Sequence, residues 1–88
     1  MNSKRINMNK VSAKDICELL TQRYSSQMLS RIQAADALGI SVPTLDRLRA
    51  DGLGPSYKLI GKKSRNQGVK YPVFAIAEYV FGGNVQTV

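Results

Sequence analysis

The chain has 88 residues, enough for one small domain with a modest core. Thirteen Lys and Arg against six Asp and Glu give a net charge of +7 and a pI near 9.9, a balance that suits a polyanionic partner, either nucleic acid or an anionic membrane surface. One cysteine and no histidine exclude a disulfide framework or a zinc site built within one chain, and no apolar run approaches the length of a membrane-spanning helix.

Residues 1–10, MNSKRINMNK, have no apolar period and read as a basic arm. They carry no apolar stretch after their basic residues, so they do not read as a secretory signal. Ser12 and Asp15 have the spacing of a capping box. Ile16, Leu19, Leu20 and Tyr24 then recur at helical spacing, which predicts an amphipathic helix from Ala13 to about Tyr24. Its stripe is expected to pack within the chain rather than against a second copy. Cys17 lies on this helix and reads as a small hydrophobe in a reducing cytoplasm, with a redox sensor as the alternative.

Ser25 to Leu29 connect this helix to the most informative stretch, RIQAADALGISVPTLDRLRA, over residues 31–50. Ser30 and Gln33 form a second capping-box pattern. Ala34, Ala35 and Leu38 make an inward stripe, and two small residues side by side let a second helix approach closely. Gly39 can take the left-handed conformation that ends a helix, and Ile40 fills the corner. Ser41 can cap a second helix, with Val42 and Pro43 in its first turn, where a missing N–H costs nothing. Leu45 and Leu48 return to the core. Two short helices crossing over a Gly turn are the pattern of a helix-turn-helix.

Asp51-Gly52 ends the second helix, and Leu53-Gly54-Pro55 is a rigid corner. Ser56 to Ile60 reads as a strand, GKKSRNQG (61–68) as a basic turn, and Val69 to Tyr71 as a return strand that Pro72 stops. This is a two-stranded hairpin with a basic tip. Val73 to Phe81 reads as a short apolar helix that ends at Gly82-Gly83, with Phe74, Ile76, Ala77, Val80 and Phe81 covering the sheet and the two helices. NVQTV is a tail. Five basic and two acidic residues fall in 1–29, and five and one in 51–72, so the basic blocks flank the central helix pair. The expected organisation is a basic arm (1–10), an additional amphipathic helix and connector (11–29), a DNA-binding domain (30–81) and a C-terminal tail (82–88). The expected fold is mainly α with a small β-hairpin.

The order helix, turn, helix, Gly-Pro corner, basic hairpin, short helix resembles the MerR-like winged helix-turn-helix of excisionases and AlpA-type phage and plasmid regulators. The text that carries the resemblance is MLSRIQAADALGISVPTLDRLRADGLGPSYKLIGKK and VKYPVFAIAEYV, about residues 28–81. Within it stand Ala34-Ala35, Leu38-Gly39-Ile40-Ser41, Thr44-Leu45, Gly54-Pro55, Lys58, Ile60-Gly61 and Lys70-Tyr71-Pro72. The resemblance implies DNA binding, often with bending, and control of transcription or of mobile-element excision. Two features depart from it. The turn from Lys62 to Gly68 is longer than the short tip common in such domains, and the helix from Ala13 to Tyr24 precedes the usual start.

A helix read in the major groove presents its N-terminal residues and one exposed face to base edges. The outward set expected here is Ser41, Val42, Pro43, Thr44, Asp46, Arg47 and Ala50. Arg47 suits bidentate contact with guanine. Thr44 suits a thymine methyl or a phosphate, and Asp46 either accepts from a cytosine amino group or, the preferred role, orients Arg47 or Arg49. Ser30, Arg31 and Ser41 at helix N-termini suit phosphates, and Arg49, Lys58 and Lys70 are further backbone candidates. The hairpin tip contributes Lys62, Lys63, Ser64, Arg65, Asn66 and Gln67 to a minor groove or backbone. Tyr57 and Tyr71 either lend hydroxyls to phosphates or pack.

These readings point to a cytoplasmic, nucleoid-associated regulator of a phage, plasmid or other mobile element that binds double-stranded DNA. It is expected to need no cofactor or metal, and to act as a homodimer or head-to-tail oligomer on DNA, with a recombinase or RNA polymerase as candidate protein partners. An excision factor that bends attachment sites is the first alternative. The second is an antitoxin or adaptor holding a protein on the Ile16–Tyr24 stripe. No nucleophile has an evident base, so an enzyme is not expected, and the aromatic-bearing sheet of single-strand RNA readers is absent from the pattern.

Overall fold

A computed structural model describes residues 12–61 and 68–85, with side chains through Gly82. It is mainly helical, with a three-stranded antiparallel sheet: α1 (Ala13–Tyr24), β1 (Met28–Leu29), α2 (Arg31–Leu38), α3 (Val42–Ala50), β2 (Lys58–Leu59), β3 (Val69–Pro72) and α4 (Val73–Val85). Residues 1–10, the tip residues Lys62, Lys63, Ser64, Arg65, Asn66 and Gln67, and the last three residues of the expected tail lie outside the described residues. Among the described residues no helix is long and apolar enough to cross a membrane.

The helix starts follow from their caps. Ser12 and Asp15 exchange side-chain and backbone hydrogen bonds at α1, and Ser30 and Gln33 do the same at α2. Each box satisfies two N–H groups that the helix itself leaves without acceptors. Gly39 takes φ 74° and donates back to the last turn of α2, so the chain leaves that helix sharply and enters α3 three residues later, at Val42. A residue with a Cβ would be strained there.

The expected antiparallel pairing of β2 with β3 is present, and a third strand extends it. β3 is the central strand, with β2 on one side and β1 on the other, in the order β1-β3-β2. Met28 pairs with Pro72 and Leu29 with Tyr71, and on the other edge Lys58 pairs with Lys70 and Leu59 with Val69. β1 is two residues long, too short for alternation to reveal it in a sequence. Pro72 belongs to β3 rather than ending the chain's pairing before it, and the next residue, Val73, still donates to Gln27 at 2.9 Å.

The hairpin closes tightly where β3 begins. Ile60 donates to Gly68 at 2.8 Å, and a Cβ on Gly68 would stand 2.7 Å from the Ile60 carbonyl oxygen. Backbone cannot yield as a flexible side chain would. Gly68→Ala is therefore expected to destabilise the domain by about 1–3 kcal/mol, read as a lower urea midpoint. An unchanged midpoint would mean that this closure carries no strain.

The core forms where the sheet meets α2, α3 and α4: Leu29, Ala34, Ala35, Leu45, Val69, Tyr71, Val73 and Ile76. Ala34 and Ala35 are buried, as the close approach of α3 to α2 requires. α1 packs on α4 within the same chain. Cys17, Leu20 and Tyr24 turn toward the core, whereas Leu19, expected on that stripe, is 47% exposed. Cys17, Leu20 and Tyr24 stand at i, i+3 and i+7, so they share one helix face and Leu19 falls beside it.

Two readings of α4 are also corrected. Ile76 and Ala77 are buried as expected, but Phe74 is 57% and Val80 39% exposed, because the buried face runs through Val73, Ala75, Ile76 and Ala77. The helix also continues past Gly82-Gly83 to Val85. Gly82 does not adopt the left-handed conformation with which a glycine ends a helix.

Candidate nucleic-acid interface

α3 divides into three longitudinal zones. Leu45 is fully buried, Leu48 half-buried, and Val42 packs against the core. Val42, expected on the outward set, is thus an anchoring residue: it holds the first turn inward beside Leu45, three positions on. Pro43, Arg47 and Ala50 are exposed at i, i+4 and i+7, which places them on one outer stripe. Asp46 and Arg49 lie half-buried on the flank, one turn apart.

The start of α3 is occupied by its own cap. Ser41 Oγ accepts from the Thr44 N–H at 3.2 Å and donates to Thr44 Oγ1 at 2.8 Å. Pro43 has no N–H to offer, so the first turn of α3 presents less to an anion than its position suggests. Ser30 is likewise engaged by the capping box of α2.

Asp46 is bonded to two guanidiniums from two helices. Arg31 Nε donates to Oδ1 at 2.9 Å and Arg31 Nη2 donates to Oδ2, a fork-on-carboxylate pairing across the α2–α3 corner. Arg49 Nη1 donates to the same Oδ1 at 3.0 Å. Of the two arginines that Asp46 is expected to orient, it bonds Arg49 and not Arg47, and it bonds Arg31 of α2 as well. Arg31 donation holds the Asp46 carboxyl below the usual carboxylate range against the effect of burial, with Arg49 adding to it. The same bond raises the Arg31 pKa above its ordinary value. Burial works against the Arg49 charge, and Tyr71 and Asp46 outweigh it.

Arg49 also lies over the Tyr57 ring, 5.8 Å from its centroid, and the Tyr57 and Tyr71 rings meet tilted at 52° with centroids 6.2 Å apart. The Tyr71 hydroxyl is fully buried and makes no hydrogen bond of standard geometry among the described residues, though it lies near enough to Arg49 to favour its charge. Tyr71 is therefore a packing residue, whereas Tyr57 touches it while remaining 41% exposed, and Gly54 of the corner sits against Leu48 of α3. The sequence signalled the Asp46–Arg49 pair through its spacing of three. It carried no signal for Arg31, fifteen residues away.

Lys58 and Lys70 face each other directly across β2 and β3. Like charges in that register repel unless an anion lies between them. Continued by one residue, the β1–β3 register brings Ser30 and the start of α2 level with Lys70. Arg31, Arg47, Arg49, Lys58 and Lys70 are thereby carried on two helices and a sheet that share one core.

A second concave feature lies on the α1 side. A groove of about 550 Å³ runs between α1 and the β3–α4 junction and is lined by Cys17, Thr21, Met28, Pro72 and Phe74 among others. Burial pushes the Cys17 thiol up, and Glu78 and Glu18 add to the effect. A raised thiol pKa leaves less of the reactive thiolate, which favours the packing role over the redox one. At the other end of α1, Tyr24 and Arg23 both donate to Asp36 of α2, which ties the extra helix to the helix pair.

No protein-family model matches this chain, and no curated protein is significantly similar to it.

Proposed function

We propose that this protein is a winged helix-turn-helix that binds double-stranded DNA and regulates transcription of a phage, plasmid or other mobile element. In this reading α3 enters the major groove, and the β2–β3 hairpin lies along the backbone. The observation that carries it is the division of α3. One side is anchored in the core by Leu45, and the opposite stripe presents Pro43, Arg47 and Ala50 outward. Arg47, unlike Arg31 and Arg49, is in no ion pair among the described residues. A guanidinium outside those ion pairs, on the exposed face of the helix, suits guanine O6 and N7. Lys58 and Lys70, set side by side, suit a phosphate between them.

The adaptor alternative needed the Ile16–Tyr24 stripe for a protein ligand. Leu20 and Tyr24 of that stripe pack against the chain's own core, and α1 lies on α4, while Leu19 stays exposed. The excision alternative shares the DNA-binding surface and differs only in where on the DNA the protein sits.

Footprinting on the DNA flanking the protein's own gene, with scrambled duplex as competitor, tests the reading. Protection of paired or repeated sites is expected. With about six phosphates neutralised, affinity should fall by roughly 10³-fold between 50 and 200 mM salt. Sites over a promoter support transcriptional control, and sites at an attachment locus support excision. Absence of binding at low salt would remove the DNA reading.

A further inference from the structure

We propose that Asp46 is a specificity-determining residue that restrains Arg31, and with it Arg49, from following the phosphates of unrelated DNA. The inference rests on the DNA-binding reading and concerns how selective the surface is. Three arginines stand on α2 and α3, and among the described residues Arg31 and Arg49 are ion-paired while Arg47 is not. Arg31 and Arg49 converge on one carboxylate whose side chain is 25% exposed, and their own side chains are 24% and 13% exposed. The group is partly desolvated and so is screened less by salt than a surface pair would be.

A negative charge on the helix that faces DNA repels phosphate, so its presence there needs a compensating gain. The geometry supplies one. Arg31 spends the Nε and Nη2 side of its fork on Asp46. Its remaining donors point in one fixed direction. A guanidinium held this way can contact phosphate only where the duplex shape brings phosphate to it. A released arginine swings on a long flexible stem and meets phosphate on any sequence. Asp46 therefore gives up affinity that is independent of sequence and leaves base reading to Arg47. Arg49 has a second restraint in the Tyr57 ring. Loss of the Asp46 charge should consequently free chiefly Arg31, a gain of about one phosphate contact.

Asp46→Asn keeps the shape and removes the charge. Its binding to scrambled duplex is expected to tighten roughly fivefold to tenfold near 0.1 M salt, and log K against log salt should steepen by about 0.9. Binding to the footprinted site should rise less, so the ratio of preferred to scrambled affinity falls. Asp46→Glu retains the charge and should restore most of that ratio. Adding Arg31→Gln to Asp46→Asn should abolish the extra slope. Glu18→Gln, the same charge change on the outer face of α1, should leave both readouts in place.

Melting curves establish that each variant is folded. An independent measurement uses the unaltered protein: the Arg31 Nε proton should remain slow to exchange when scrambled duplex is added. Unchanged slope and ratio in Asp46→Asn would overturn the proposal. So would equal loss of affinity for both duplexes, an equal effect of Glu18→Gln, or loss of Arg31 Nε protection on scrambled DNA. Failure of the unaltered protein to bind any duplex would remove the DNA reading and this inference together. Normal binding with an unresponsive Asp46 removes the inference alone.

Discussion

Arg47→Ala is expected to flatten the protein's choice among DNA sequences while leaving the fold untouched. A good bidentate contact discriminates against the wrong base by about 1–3 kcal/mol, roughly 5- to 150-fold in the ratio of affinities. Arg47 is exposed and in no ion pair among the described residues, so its loss should shift stability by no more than about 0.5 kcal/mol. Lys58→Ala supplies the contrast. A lysine beside Lys70 on a hairpin edge has the geometry for phosphate, and its loss should weaken binding to preferred and scrambled duplex alike. The salt slope should become shallower by about 0.9. Competition binding with both duplexes at two salt concentrations reads these effects. Equal loss of discrimination in the two variants would refute the division between base reading and backbone contact.

The largest effect on stability is expected from Leu45→Ala. Leu45 is the one fully buried residue of α3, and it meets the core formed by Leu29, Ala34, Ala35, Val69, Tyr71, Val73 and Ile76. Truncating a buried leucine costs about 2–5 kcal/mol, the lost transfer free energy plus the cavity left behind. Domains of this size hold total stabilities toward the lower end of about 5–15 kcal/mol. Each kcal/mol lowers the midpoint by about 4–8 °C in a chain of 60–100 residues. The thermal midpoint should therefore fall by about 10 °C or more. Leu45→Met, which conserves volume, should cost less than about 1.5 kcal/mol. A midpoint within a few degrees of the unaltered protein for Leu45→Ala would contradict the core described here. The consequence reaches function, because Leu45 fixes the rotation of α3 and hence the direction of Pro43, Arg47 and Ala50.

Local chemistry explains which elements were legible. Ser12 with Asp15, Ser30 with Gln33, Ser41 before Val42-Pro43, and Gly39 are signals completed within four residues, and each marks a helix boundary in the structure. The apolar spacing of Leu45 likewise needed nothing beyond its own helix. β1 was not legible, since two residues hold no period and their pairing partners, Pro72 and Tyr71, lie more than forty positions away. The outward placement of Phe74 and the inward turn of Val42 depend on how α4 and α3 are rolled against neighbours, which a helical repeat does not specify.

The same distinction runs through the candidate site. By itself the sequence determined that the chain is basic, mostly helical, and built around two short capped helices joined at Gly39, with Arg47 on the second. These properties follow from composition and from interactions among residues within one turn of each other. The tertiary structure alone decided that Arg31 crosses to Asp46, that Arg49 lies over Tyr57, that Lys58 faces Lys70, and that Cys17 and Leu20 rather than Leu19 turn inward where α1 packs on α4. Each of these joins side chains from separate elements. Such contacts are settled by which arrangement buries the shared core and pairs the half-buried charges, and no local pattern in the chain encodes that balance.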